Sequence, residues 1–283
     1  MSPSQKLTQL LTPFKPFLQK NTINQTNYEY IRAALELLPA VGLLIFHDGF
    51  TQPYYRVTIN KRLPNNNNKR IDEISQLKYP PPKSVNKFGR ANFQKQSVLY
   101  ATVNHLTAFD EMQPEVGDLV TISEWELPAE KRIQVLPVFM ITSGNDDVSH
   151  NSLSLDYKIA YINSTRHETE DSQAFLDTYL TFISECFAKP VQADNHYDYY
   201  LSSYFADKLF RYKNDNGPVE AIVYPSVKQN LSFSNIAIKP ESFDSKFKLM
   251  KVQECVIRTA KPYFMDCVAE TKKFDLEKNK ILW

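Results

Sequence analysis

Only six glycines serve this 283-residue chain, and no two stand closer than seven positions: Gly42, Gly49, Gly89, Gly117, Gly144 and Gly217. The dinucleotide fingerprint G-x-G-x-x-G, the Walker P-loop and the G-x-S-x-G nucleophile elbow all need glycines nearer together. None of these can be built here. A nucleotide bound by this chain must be held by side chains rather than by a glycine-rich phosphate cradle.

Charge narrows the field further. Lysine and arginine number 33 against 32 acidic residues, a formal net charge of +1. A general nucleic-acid binder normally carries a clear basic excess, so none is expected here. The three cysteines, Cys186, Cys255 and Cys267, form no C-x-x-C pair. They read as reduced thiols in a cytoplasmic compartment rather than a disulfide framework. His47, His105, His150, His167 and His196 are scattered, with no H-E-x-x-H, and no metal is expected. The longest apolar run, Leu37 to Phe46, is ten residues and contains Pro39 and Gly42. That is short of the roughly 20 residues a spanning helix needs, so no membrane segment and no export signal are expected.

Periodicity places elements along the chain. Residues 1–26 are polar and interrupted by prolines. From Asn27 the spacing of Ile31, Leu35 and Leu38 predicts a helix ended by Pro39. Tyr54 to Ile59 reads as a strand, Asn65 to Asn68 as a polar loop, and Val98 to Thr102 as another strand. Asn104 can cap a short helix through Ala108 and Glu111. Leu119 to Ser123 and Arg132 to Thr142 read as strands, with Pro137 pointing to an edge or bulge. Residues 143–170 read as polar and irregular. Helices are predicted around Phe175 to Cys186 and over Tyr199 to Tyr212. Val219 to Tyr224, Ile236 to Ile238 and Phe247 to Val256 complete the predicted strands. Strands and helices mix without regular βαβ alternation, which predicts an α+β fold.

Short segments recur in a telling order: Tyr55-Arg56, Gly89-Arg90-Ala91-Asn92, Val98-Leu99-Tyr100, Ala108-Phe109-Asp110-Glu111, Tyr224-Pro225-Ser226 and Asn235-Ile236-Ala237. The ordered set resembles the RES-domain family, named for an arginine, a glutamate and a serine, over about residues 56–238. Phe93-Gln94-Lys95-Gln96 stands where typical members carry a Pro or Gly turn. The resemblance implies an ADP-ribosyltransferase-like mixed β core with flanking helices. It divides the chain into an N-terminal helical extension, 1–48, and a RES-like catalytic domain, 49–283, with an insert at about 128–195. It implies cleavage of NAD as substrate, by an NAD phosphorylase or glycohydrolase, in the setting of a growth-arrest toxin or defence effector. Phosphate as acceptor and an antitoxin protein as partner are open expectations of the same resemblance. So is a protein ADP-ribosyltransferase using the same site. An inactive RES-like interaction module is the rival from a different class.

The residue types suit that chemistry. Breaking the nicotinamide–ribose bond leaves positive charge on the ribose, an oxocarbenium-like state that a carboxylate stabilises. Glu111 is the expected carboxylate, with Arg90 and Ser226 as the other catalytic candidates. Arg56 and Arg90 can fork onto the pyrophosphate. Tyr100 can stack on the nicotinamide or ribose face, and Ser226 can bond the amide or a ribose hydroxyl. Asn92, Tyr224 and Asn235 join the binding set through the resemblance. Taken singly, each has a plainer reading. Glu111 would be an exposed helix residue, Tyr100 a core strand tyrosine, Ser226 a turn residue, and Arg90 a surface arginine after a turn glycine.

Overall fold

The computed structural model describes residues 1–19, 22–39, 46–48, 52–139, 151–192, 194–214 and 217–283. Gly42, Gly49, Gly144, His150, the 140–142 end of the expected strand and the 143–150 part of the expected irregular stretch lie outside the described residues. In chain order the helices are α1 (Pro3–Leu11), α2 (Lys15–Gln19), α3 (Tyr28–Leu35), α4 (His105–Met112), α5 (Ser152–Thr165), α6 (Glu170–Ala188), α7 (Tyr200–Arg211) and α8 (Pro240–Lys246). The strands are β1 (Phe46–Asp48), β2 (Tyr54–Ile59), β3 (Leu99–Thr102), β4 (Leu119–Glu126), β5 (Ile133–Pro137), β6 (Lys213–Asn214), β7 (Gly217–Pro218), β8 (Ala221–Pro225), β9 (Ser234–Ile238), β10 (Lys248–Ala260), β11 (Tyr263–Thr271), β12 (Phe274–Asp275) and β13 (Lys280–Ile281). The mixture is α+β, as the sequence predicts. The chain forms two compact units: residues 1–46, 82–96 and 134–234 make the first, and 47–81, 97–133 and 235–283 the second.

The first unit is mainly helical. Its N-terminal prolines start helices instead of breaking them: Pro3 is the first residue of α1, behind a capping box formed by Ser2 and Gln5. Leu7 and Leu11 of α1 are buried, and Phe14 meets Phe182 of α6 with ring centroids 6.1 Å apart. Ser4 Oγ donates to Asp171 at the start of α6, 2.6 Å away. In α3, Ile31 and Leu35 are buried, but the helix ends at Leu35, before Pro39 is reached. The expected irregular stretch is corrected over Ser152–Thr165, which is α5, capped by Asn151. Its buried row is Ser154, Tyr157, Tyr161 and Thr165, while Leu155, Ile159 and Ile162 face outward. The buried stripe is thus hydroxyl-bearing, and no apolar periodicity announces it. Beneath the helices β5 and β8 run parallel, Val135 opposite Ala221 and Pro137 opposite Val223.

The second unit is an antiparallel sheet in the order β9-β3-β2-β4-β10-β11. Side chains alternate between its faces. One face carries Val57, Ile59, Val120, Ile122, Cys255 and Ile257, packed with Ala108 and Phe109 of α4. The other carries Tyr54 and Trp125, covered by Phe243 of α8 and by Phe247: the Trp125–Phe243 and Tyr54–Phe247 centroids are 4.7 and 5.4 Å apart. β10 runs on to Ala260, beyond the predicted end at Val256, and turns into β11, which the sequence reading does not place.

Candidate functional site

In the second unit the expected residues divide by sheet face. α4 starts where Asn104 accepts from the Leu106 amide at 2.9 Å. Burial of Ala108 and Phe109 against the sheet leaves Glu111 exposed. Its carboxylate is nevertheless held: Asn235 Nδ2 donates to Glu111 Oε1 at 2.7 Å. Asn235 is itself buried, on β9 opposite Thr102. Register puts Tyr100, Thr102 and Asn235 on the face that α4 covers. The expected carboxylate, the expected stacking tyrosine and the expected amide therefore share one side of the sheet.

Tyr55 lies on this face too, although the ordered segments mark only its neighbour Arg56 as a site residue. It sits opposite both Thr102 and Glu124, so Asn235, Thr102, Tyr55 and Glu124 form one polar row across four strands. Burial, then the Glu124 charge, pushes the Tyr55 hydroxyl above its ordinary pKa. His105 at the start of α4 meets the Tyr55 ring edge-on, centroids 5.7 Å apart. The sequence signal was available: alternation through Tyr55, Val57 and Ile59 assigns Tyr55 to the α4 face.

Arg56 points the other way. It belongs to the alternation of Tyr54 and Thr58, on the α8 side. Its Nη1 donates to the Tyr100 carbonyl at 3.1 Å, and its buried Nε has no partner. Burial lowers its pKa to about 10, opposed only in part by Tyr100.

In the first unit, Gly89 and Asn92 close a tight turn through reciprocal main-chain bonds of 3.0 and 3.4 Å. Asn92 is buried and its amide donates to the Phe93 carbonyl at 2.8 Å, so it ties the turn together. The turn carries Arg90 to the C-terminal end of α6. There Arg90 Nη1 donates to the carbonyls of Phe187 and of Lys189, the latter at 3.2 Å. The guanidinium also lies over the Tyr199 ring, 5.0 Å from its centroid. α6 has no basic residue in its own last turn, so Arg90 supplies the charge that its terminal carbonyls favour. Tyr224 is buried with its ring 5.3 Å from that of Phe187, bringing Arg90 and Tyr224 to the same phenylalanine. Ser226 is buried completely, its amide donating to the Phe233 carbonyl at 2.7 Å.

Among the described residues, no group of three His, Cys, Asp or Glu side chains is placed to hold a metal ion, and no helix is long and apolar enough to cross a membrane. No protein-family model matches the chain, and no curated protein matches it in sequence.

Proposed function

We propose that the second unit cleaves the nicotinamide–ribose bond of NAD, with Glu111 as the catalytic carboxylate. The observation that carries the reading is the 2.7 Å bond from buried Asn235 to exposed Glu111. A carboxylate fixed by a rigid strand but open to solvent is preorganised for a cation that develops in the transition state. As the bond breaks, its electron pair leaves with neutral nicotinamide and the ribose carbon becomes electron-poor. Glu111 opposes that charge, or orients the adjacent ribose hydroxyl. Tyr100, on the same face, offers a ring against the nicotinamide or the ribose. An oxygen of phosphate or water then bonds to the ribose carbon and sheds its proton. The ordered segments that resemble the RES-domain family point to the same reaction.

The test is incubation of the purified chain with NAD, with and without phosphate, followed by mass spectrometry of the products. Release of nicotinamide is expected, with ADP-ribose or its phosphorylated form as the second product. An ADP-ribosyl adduct on protein would assign the same chemistry to a protein acceptor. Intact NAD under all conditions, with no adduct, sinks the reading.

A further inference from the structure

We propose that Cys255 and Cys267 are a paired dithiol which a peroxide oxidises to an intramolecular disulfide stapling the β10–β11 hairpin. The two residues sit directly opposite each other in the antiparallel ladder. Opposed residues place their Cβ atoms about 4.5–5.5 Å apart, and a disulfide needs about 3.5–4.5 Å. The two ranges meet at about 4.5 Å, so the remaining adjustment is small. The register slips between Glu254 and Cys255, which leaves Val268 as an extra residue on β11. A bulge of this kind bends and twists its strand. β11 ends the sheet order with β10 as its ladder partner, so a small shift leaves the other strand pairings in place.

The two thiols also differ in the way that such chemistry uses. Cys267 is exposed, whereas Cys255 is buried in the cluster beneath α4. Burial, then the hydrogen bond with Cys267, pushes the Cys255 thiol up, which makes Cys267 the group that meets an oxidant first. Cys267 sulfur attacks one peroxide oxygen, the O–O bond breaks, and the departing oxygen leaves as water. The sulfenic acid on Cys267 is then attacked by Cys255 sulfur, which gives up its proton. The S–O bond breaks, a second water leaves and the S–S bond forms. The two thiols are oxidised by two electrons, and one peroxide is reduced to two waters. Cys186, the remaining cysteine, is buried within α6 of the other unit and is expected to stay reduced. The inference stands on hairpin geometry and does not depend on what Glu111 does.

The experiment treats the native full chain with a small excess of hydrogen peroxide, caps residual thiols, and maps the digest by mass spectrometry. The expected result is a reducible crosslink joining the Cys255 and Cys267 peptides, with Cys186 capped as the free thiol. Cys267→Ser, an exposed change, should abolish the crosslink and leave Cys255 reduced. Circular dichroism before digestion establishes that the crosslink forms in folded protein. The proposal is overturned if Cys267 proceeds to sulfinic acid while Cys255 stays reduced. It is equally overturned if the crosslink involves Cys186 or a second chain, if no thiol is lost, or if the bond forms only in denaturant.

Discussion

At the level of single residues, Glu111 and Arg56 contrast a carboxylate proposed to act in chemistry with a cation held by packing. Glu111→Gln preserves an acceptor oxygen for Asn235, removes the negative charge and turns the second carboxylate oxygen into an amide donor. Loss of one preorganised electrostatic contact costs about 3–4 kcal/mol in the transition state. The NAD-cleavage rate should fall on the order of 100- to 1000-fold while the melting temperature stays within a few degrees, since exposed substitutions usually cost less than about 0.5 kcal/mol. A near-normal rate would remove Glu111 from the reaction. Arg56 presents the opposite case: a cation desolvated enough to lower its pKa to about 10, with an unpartnered Nε. Arg56→Met gives up one hydrogen bond and the desolvation penalty together, so stability should change by less than about 1 kcal/mol. From its place on the face opposite Glu111, the KM for NAD should also hold. A rise of about tenfold, the worth of one lost charge-assisted bond, would show that NAD reaches the α8 side.

Elements explain what Arg90 does, and why the sequence alone does not show it. The sequence places Arg90 after a turn glycine and suggests an accessible side chain. The chain instead brings it to the last turn of α6, residues distant in sequence that no local pattern links. Arg90→Ala leaves those carbonyls without their donor. It should lower stability by about 1.5–3 kcal/mol, the usual worth of a hydrogen bond to a charged group, as read by denaturant unfolding. A cost below about 0.5 kcal/mol would return Arg90 to the surface. The same turn carries a pH signature. The Phe88 amide donates to His196 Nδ1 at 3.2 Å, which requires the unprotonated nitrogen. Burial, then the Lys87 charge, lowers the His196 pKa below 6.5. The unfolded chain therefore binds that proton more readily, and stability present above the unfolded pKa declines as pH falls through the folded one. The melting temperature should drop between about pH 7 and 5, and less so in His196→Gln. An equal drop in both proteins would clear His196. Tyr54–Ile59, rich in β-branched and aromatic residues, and Glu170–Ala188, with apolar residues at helical spacing, were legible from residue type and spacing. α5 was not, because tyrosine, serine and threonine make its buried row. Glu111, Asn235 and Tyr100 were legible as an ordered motif, but their shared face follows from register, which one strand alone does not reveal.

For the whole molecule, two expectations concern how the chain is put together. With a net charge of +1 it should show no steep salt-dependent binding to random duplex DNA. A salt slope implying several released counterions would contradict that. The second concerns residues 1–39, which lie within the N-terminal helical extension, 1–48, that the sequence suggests. In the structure they belong to the compact first unit, together with residues 82–96 and 134–234. Leu7, Leu11, Phe14, Ile23, Ile31 and Leu35 are each no more than 2% exposed. Burial of one such side chain contributes roughly 1.5–3 kcal/mol. Six of them together reach the order of 10 kcal/mol, comparable to the whole net stability of a typical domain, about 5–15 kcal/mol. Polar ties add to this: Asp198 Oδ1 accepts from the Ile23 amide at 2.7 Å and from buried Lys189 Nζ at 2.6 Å. Removing the segment takes away one of the donors to Asp198 and uncovers the α6 surface around Phe182. Deletion of residues 1–39 should therefore leave the first unit unable to fold cooperatively, seen as loss of a sharp thermal transition and exposure of dye-binding apolar surface. A truncated chain that melts sharply near the parent temperature would show instead that α6 and α7 are stable without their N-terminal cover.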